Sequence, residues 1–312
     1  MSLTPPLSLS PHLPTAPARP SLSSALKGLT VGLIGCGNMG AALARGWVRA
    51  GALTPDQLLL TARTSAPALA AELGARAVGL EGAAGADVIV LGVKPQQLAD
   101  LNLCDPLAAS IARRGRSPLI ISLLAGAPLA VVRQALSSDH SSAYGWGSLD
   151  DIRLARAMPN LPAQVGLGAT LLFSHPSPEP SALTDADREV VSALFDAVGL
   201  SEWLASEELF HAGTALSGCG PAYLFMAAEA LADAGVLLGL TRATSQRLAA
   251  QTLYGSGALA LTAHPAALKD SVTSPGGVTI AGVRALEQRA FRAALIEAVV
   301  AAADRSRALA GR

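Results

Sequence analysis

The chain has 312 residues, 51% hydrophobic and only 4% aromatic, with 23 basic and 23 acidic side chains that cancel to a formal net charge of zero. That balance gives no broad electrostatic grip on nucleic acid or an acidic membrane, and the scarcity of aromatics removes a base-stacking surface. No apolar run is long enough for a membrane span, the five histidines form no HxxxH metal pair, and Cys36, Cys104 and Cys219 lack zinc spacing and read as reduced thiols of a cytoplasmic protein.

Residues 1–27 are rich in Pro, Ser and Leu and contain no acid. They read as a disordered tail, with a cleaved targeting peptide as the alternative. From Leu29, short apolar runs alternate with helical text. LTVGLIG (29–35), LLLTA (58–62), DVIVLGV (87–93) and PLIISLLAG (118–126) predict strands buried on both faces, and RLARAMPN (153–160) one more, ending in a Pro turn. This alternation predicts an α/β fold with a Rossmann-like doubly wound sheet across 28–183. Residues 137–151 read as a surface loop.

After Leu183 the text becomes helical. Thr184 and Asp185 cap a helix to about Val198, Pro221 starts a long one, Thr241 caps another, and two more follow residue 278. Residues 184–312 are therefore expected as an all-α substrate and dimerisation domain. Its helices are apolar on more than one face around 222–238 and 292–303. A small bundle has too little interior to bury them, which points to a dimer.

GLIGCGNMG (32–40) holds GxGxxG between a strand and a helix. Gly35 permits the tight turn, Gly37 lets backbone approach a pyrophosphate, and Gly40 lets helix pack on strand. The helix start adds unpaired N–H groups. Ile34, Gly35, Cys36, Gly37, Asn38, Met39 and Gly40 are thus assigned to a dinucleotide. The second strand ends in ARTS, with Arg63 and no acid for a ribose 2′-hydroxyl. An arginine matches a 2′-phosphate, so NADPH is expected, with NADH as the alternative and a solvated arginine as the plainer reading. The loop GVKPQ places Gly92, Val93, Lys94 and Pro95 at the carboxyl edge of the sheet, and Ala125 ends a further strand run. Lys94 either approaches the cofactor or is a solvated loop lysine.

VTSPGGVTIAG (272–282) interrupts helical text with small residues. Gly276 and Gly277 leave backbone bare, the N–H groups of Val278 and Thr279 open the next helix, and Ser274 and Thr279 add hydroxyls. The segment has the form of a carboxylate cradle, or else of an elaborate helix cap.

Together with ALSGCGPAYLF (215–225), RAMPNLPA (156–163), GVKPQ and GLIGCGNMG, this segment resembles the Δ1-pyrroline-5-carboxylate reductase family from about Leu29 to Leu309. The resemblance implies NAD(P)H-dependent reduction of 1-pyrroline-5-carboxylate to L-proline by an intertwined homodimer, often further assembled, with the pocket at the dimer interface. It implies that Ser274, Gly277, Val278 and Thr279 grip the substrate, with the Thr279 hydroxyl on the ring nitrogen. It sets Glu207 near the substrate and Asn160 and Ser271 on the nicotinamide side. Val278, Leu161, Ala290, His211 and Glu81 depart from the family's usual Thr or Ala, Thr, Gly, Asp and Asn. β-Hydroxyacid dehydrogenases share the layout but carry a catalytic lysine on the first long helix of the second domain. Residues 221–238 contain no lysine, so that alternative lacks its base. A non-catalytic NADP-binding regulator is the alternative from another class.

Overall fold

The computed structural model describes residues 22–136, 152–176 and 182–310; most of the expected tail and the 137–151 loop lie outside the described residues. The described chain divides into two units, residues 22–221 with 298–310, and residues 222–297.

The first unit is built on one sheet. Its strands are β1 (Val31–Ile34), β2 (Leu58–Thr61), β3 (Arg76–Ala77), β4 (Val88–Leu91), β5 (Leu119–Ser122), β6 (Arg153–Met158), β7 (Gly168–Phe173) and β8 (Gly199–Trp203). Their spatial order is β3-β2-β1-β4-β5-β6-β7-β8. Pairing is parallel from β3 to β6, β7 runs antiparallel to β6, and β8 is parallel to β7. β1, β4 and β5 are buried at every position because helices cover both faces.

One face is covered by α2 (Asn38–Arg49), α3 (Ala66–Leu73) and α7 (Asp185–Asp196), the other by α4 (Leu80–Ala84), α5 (Cys104–Arg114) and α6 (Leu129–Leu136). Trp47 on α2 is fully buried and donates its indole N–H to the Leu194 carbonyl on α7 at 2.7 Å. At Gly46, a Cβ would sit 2.3 Å from Val198 Cγ1, so only glycine allows this approach. At the amino ends of β1 and β4, Asp87 accepts from the Thr30 N–H and hydroxyl, each at 2.8 Å, and pairs with Arg114 and Arg116. Burial raises the Asp87 pKa, but the Thr30 donors and Arg114 outweigh it and hold the carboxyl below its ordinary value.

Two expected boundaries move. The tail expected across 1–27 gives way to a helix, α1 (Leu22–Leu26), whose Leu26 is buried in the core. The switch to an all-α domain expected at 184 falls later. α7 packs on the sheet face and β8 extends the sheet, so residues 184–221 belong to the first unit. β8 is an edge strand with alternating exposure, and its sequence GLSEW carries no apolar run to reveal it.

The second unit contains most of α9 (Gly220–Leu237), α10 (Arg242–Ala260), α11 (Pro265–Ser271), α12 (Val278–Gln288) and the start of α13 (Phe291–Ala310). It has almost no interior: across α9 to α12 only Ala232, Ser245 and Ala249 are buried. Leu237, Leu238 and Leu261 are each more than 80% exposed. Ala290, between α12 and α13, holds φ +54°, a left-handed conformation that favours glycine.

Candidate active site

The carboxyl end of β1 runs into the glycine-rich turn. Gly35 holds φ +107°, and a Cβ there would lie 2.6 Å from the carbonyl carbon of Gly92, at the end of β4. A Cβ on Gly40 would meet the Gly35 oxygen at 2.1 Å, so the start of α2 lies directly on the turn. Gly37 is the N-cap of α2, extended, with no side-chain cap. A Cβ on it would meet nothing within 4 Å, which leaves room for a ligand against its backbone. Ala41 N–H bonds to the Gly37 oxygen at 2.8 Å; the N–H groups of Asn38, Met39 and Gly40 are those a helix start leaves unpaired. The first turn of α2 carries no acid. Open backbone, unpaired donors and a positive dipole end together fit a pyrophosphate.

Cys36 is buried within this turn, and burial pushes its thiol up to about 11. It is a packing group, with its sulfur 3.8 Å from the Thr61 oxygen. The Gly35 N–H also bonds to the Thr61 oxygen, at 2.8 Å, so the turn is tied to the end of β2. Arg63 follows in that loop and is exposed. Ser65, which no motif marks, donates its hydroxyl to the Cys36 carbonyl at 2.9 Å. Gly92, Val93, Lys94 and Pro95 lead out of β4, with Lys94 exposed at the start of a short 3-10 turn. Ala125 is exposed in the loop after β5. Among the described residues no cluster of His, Cys, Asp and Glu could hold a metal.

Two residues expected at the ligand make structural hydrogen bonds. Asn160 is buried; its amide donates to the Ser217 oxygen at 2.9 Å, and its oxygen accepts from the Ala169 N–H at 2.8 Å. It latches β7 to the π-helical turn Thr214–Gly218. Glu207 is paired rather than a solvated charge. Its Oε1 accepts from Arg156 Nη1 at 2.8 Å and from the Leu129 N–H at 2.9 Å, at the start of α6. Arg156 is buried, with its guanidinium 4.4 Å from the centre of the Phe210 ring. A buried arginine needs this counter-charge. Both residues bond groups more than fifty positions away, which the sequence pattern could not show. His211 meets the Ser306 hydroxyl at 2.8 Å through Nδ1.

The second unit holds the remaining candidates. Ser271 is taken up locally, its hydroxyl donating to the Leu268 oxygen at 2.7 Å. Ser274, Pro275, Gly276 and Gly277 form a tight turn closed by Gly277 N–H to Ser274 O at 3.1 Å, with Gly276 at φ +66°. Proline second and a positive-φ glycine third is the pattern of a type II turn. Gly277 is the N-cap of α12 and has no side-chain cap. The Ser274 hydroxyl lies against it, 2.2 Å from where a Cβ would stand. Val278 and Thr279 are exposed in the first turn. Among the described residues no Ser or Thr side chain is seen to cap this helix.

The family profile described as "Pyrroline-5-carboxylate reductase dimerisation" matches residues 207–309, and the one described as "NADP oxidoreductase coenzyme F420-dependent" matches 30–126. A pyrroline-5-carboxylate reductase of Glycine max is 39% identical over 291 residues, covering 90% of this chain and 96% of that protein. The structure of such a reductase from Coxiella burnetii superposes with a TM-score of 0.77 at 31% identity, covering 90% of this chain and 98% of that one. A Plasmodium falciparum pyrroline carboxylate reductase with NADP bound gives a TM-score of 0.72 at 28% identity, covering 91% and 98%.

Proposed function

Because the chain belongs to the pyrroline-5-carboxylate reductase family, we propose how its own residues divide that family's work. The protein is an NAD(P)H-dependent oxidoreductase that reduces 1-pyrroline-5-carboxylate to L-proline, the last step of proline biosynthesis, and it self-associates through its dimerisation region. Among the described residues no helix is long and apolar enough to cross a membrane. We place the enzyme in the cytoplasm.

When bound, NADPH supplies the hydride that reduces the C=N carbon. In our reading the N–H groups of Asn38, Met39 and Gly40 hold its pyrophosphate and Arg63 its 2′-phosphate. The latter marks it off from NADH, since the guanidinium fork matches a phosphate. Gly92 to Pro95 and Ala125 border the cofactor along the carboxyl edge of the sheet.

The substrate is a small ring with a carboxylate beside an imine nitrogen. The observation that carries the clamp is the bare start of α12, a glycine N-cap without a side-chain partner. Val278 and Thr279 N–H groups, with the Ser274 hydroxyl, hold the carboxylate. The Thr279 hydroxyl hydrogen-bonds the ring nitrogen and orients the imine carbon. A protonated imine is already a good electrophile, so little acid–base work is left, and orientation and electrostatics carry the catalysis. Glu207 and Asn160 act at one remove, by fixing Arg156, α6 and the π-helical turn.

Purified protein mixed with 1-pyrroline-5-carboxylate and NADPH tests this directly. Cofactor absorbance at the nicotinamide band falls in step with proline formed. Binding of NADPH without consumption would leave a non-catalytic cofactor-binding protein.

A further inference from the structure

We propose that Ser65 is a positioning residue that sets the geometry of the pyrophosphate turn for both nicotinamide cofactors. The inference rests on the cofactor site just described. Ser65 is the N-cap of α3, where a serine ordinarily accepts from the first-turn N–H groups of its own helix. Here it makes no such cap. Its hydroxyl instead donates to the Cys36 carbonyl, 29 positions back, at 2.9 Å.

That carbonyl belongs to the peptide joining Cys36 to Gly37. In a trans peptide the C=O and the following N–H point in opposite directions. Holding the Cys36 oxygen toward Ser65 therefore turns the Gly37 N–H the other way and fixes the peptide from which α2 departs. Glycines leave this turn much freedom, and freedom kept until the ligand arrives weakens binding. The Gly35 N–H is fixed by Thr61, and Ser65 fixes the next peptide but one. The loop after β2 thus carries two separable functions, two residues apart. Arg63 reads the 2′-phosphate, which only NADPH has. Ser65 shapes the turn that holds the pyrophosphate, which NADPH and NADH share.

The test is a fluorescence titration of the full-length protein with NADPH and, separately, NADH, without imine. Ser65→Ala should weaken both cofactors by the same factor, about three- to tenfold for one lost hydrogen bond. Its melting midpoint should stay near that of the unaltered protein, because Ser65 is exposed. Ser65→Thr keeps the hydroxyl and should restore both affinities. Arg63→Ala should weaken NADPH alone. A Ser65→Ala protein that loses affinity only for NADPH would make Ser65 a 2′-phosphate contact and overturn the inference. Unchanged affinity for both, whether or not the melting point falls, would overturn it too. Imine turnover by the unaltered protein is assayed separately, so failure of the reductase reading and failure of the Ser65 inference are distinct results.

Discussion

The sheet unit and the helical unit are both rich in Ala, Leu and Val, yet they bury these residues differently. In the sheet unit, β1, β4 and β5 are buried at every position, and Trp47, Phe195 and Phe210 are fully enclosed. In the helical unit, the 18-residue helix α9 buries only Ala232, while Leu224, Phe225, Met226 and Leu231 are each at least half exposed. Apolar area left in water forgoes about 25 cal/mol per Å². The sheet unit completes its core within one chain, whereas the helical unit needs a second copy. The dimerisation family match over 207–309 falls on this region. Stability and assembly are encoded in different parts of one sequence.

The largest effect that would break this contrast comes from charging the helical face. Leu231→Glu should cost the dimer about 3 kcal/mol or more, roughly a hundredfold or greater in association, because it buries an unpaired carboxylate. Val131→Glu, on exposed α6 surface of the sheet unit, should leave assembly intact. Sedimentation of both variants decides; dimers of equal strength would refute the assignment. Next comes the clamp. Thr279→Val keeps shape and backbone donors but removes the hydroxyl. It should lower kcat/KM for the imine about ten- to a hundredfold, at 1.5–3 kcal/mol for a bond to a charged group, with NADPH affinity nearly unchanged.

The sheet unit's own stability is tested at Asp87. Its folded pKa lies below the ordinary value of 3.8, so its contribution is complete above about pH 4 and is lost as pH falls through the lower folded value. Asp87→Asn should lower stability at neutral pH by about 1–3 kcal/mol and flatten the acid limb of the stability curve. An acid limb identical to the unaltered protein's would show that Asp87 does not set it. The smallest effect is a gain. Ala290→Gly relieves a left-handed alanine and should stabilise by about 0.5–1 kcal/mol, read as a rise in melting midpoint. A fall would mean the backbone there is not strained.

Legibility followed the same divide. β1, β2, β4 and β5 were legible because strands covered on both faces become continuous apolar runs, and α7 because Thr184 and Asp185 mark its start, with Thr184 the N-cap. β8 was not, since an edge strand need not be apolar, and β3 spans only two residues. The glycine turn and the 274–279 loop were legible because their chemistry is local. The hydrogen bonds of Asn160, Glu207 and Ser65 were not legible, because their partners lie 57, 51 and 29 positions away. At Ala290 the residue type is plain in the sequence, but its left-handed backbone shows only in the structure.

α13 begins in the helical unit, but its residues from 298 onward belong to the sheet unit, where Ser306 meets His211 and Arg307 approaches Glu208. The helical unit is therefore an insertion within the sheet unit's chain rather than a module hung on its end. On the ribosome, the sheet can assemble as soon as β8 has emerged. The segment that meets His211 is made only after the whole helical unit. A nascent chain must then carry its uncovered apolar helices before its first unit is closed and before a second chain can meet them. That interval is where chaperone contact is expected. Deleting residues 298–310 would harm the sheet unit, because they pack within it.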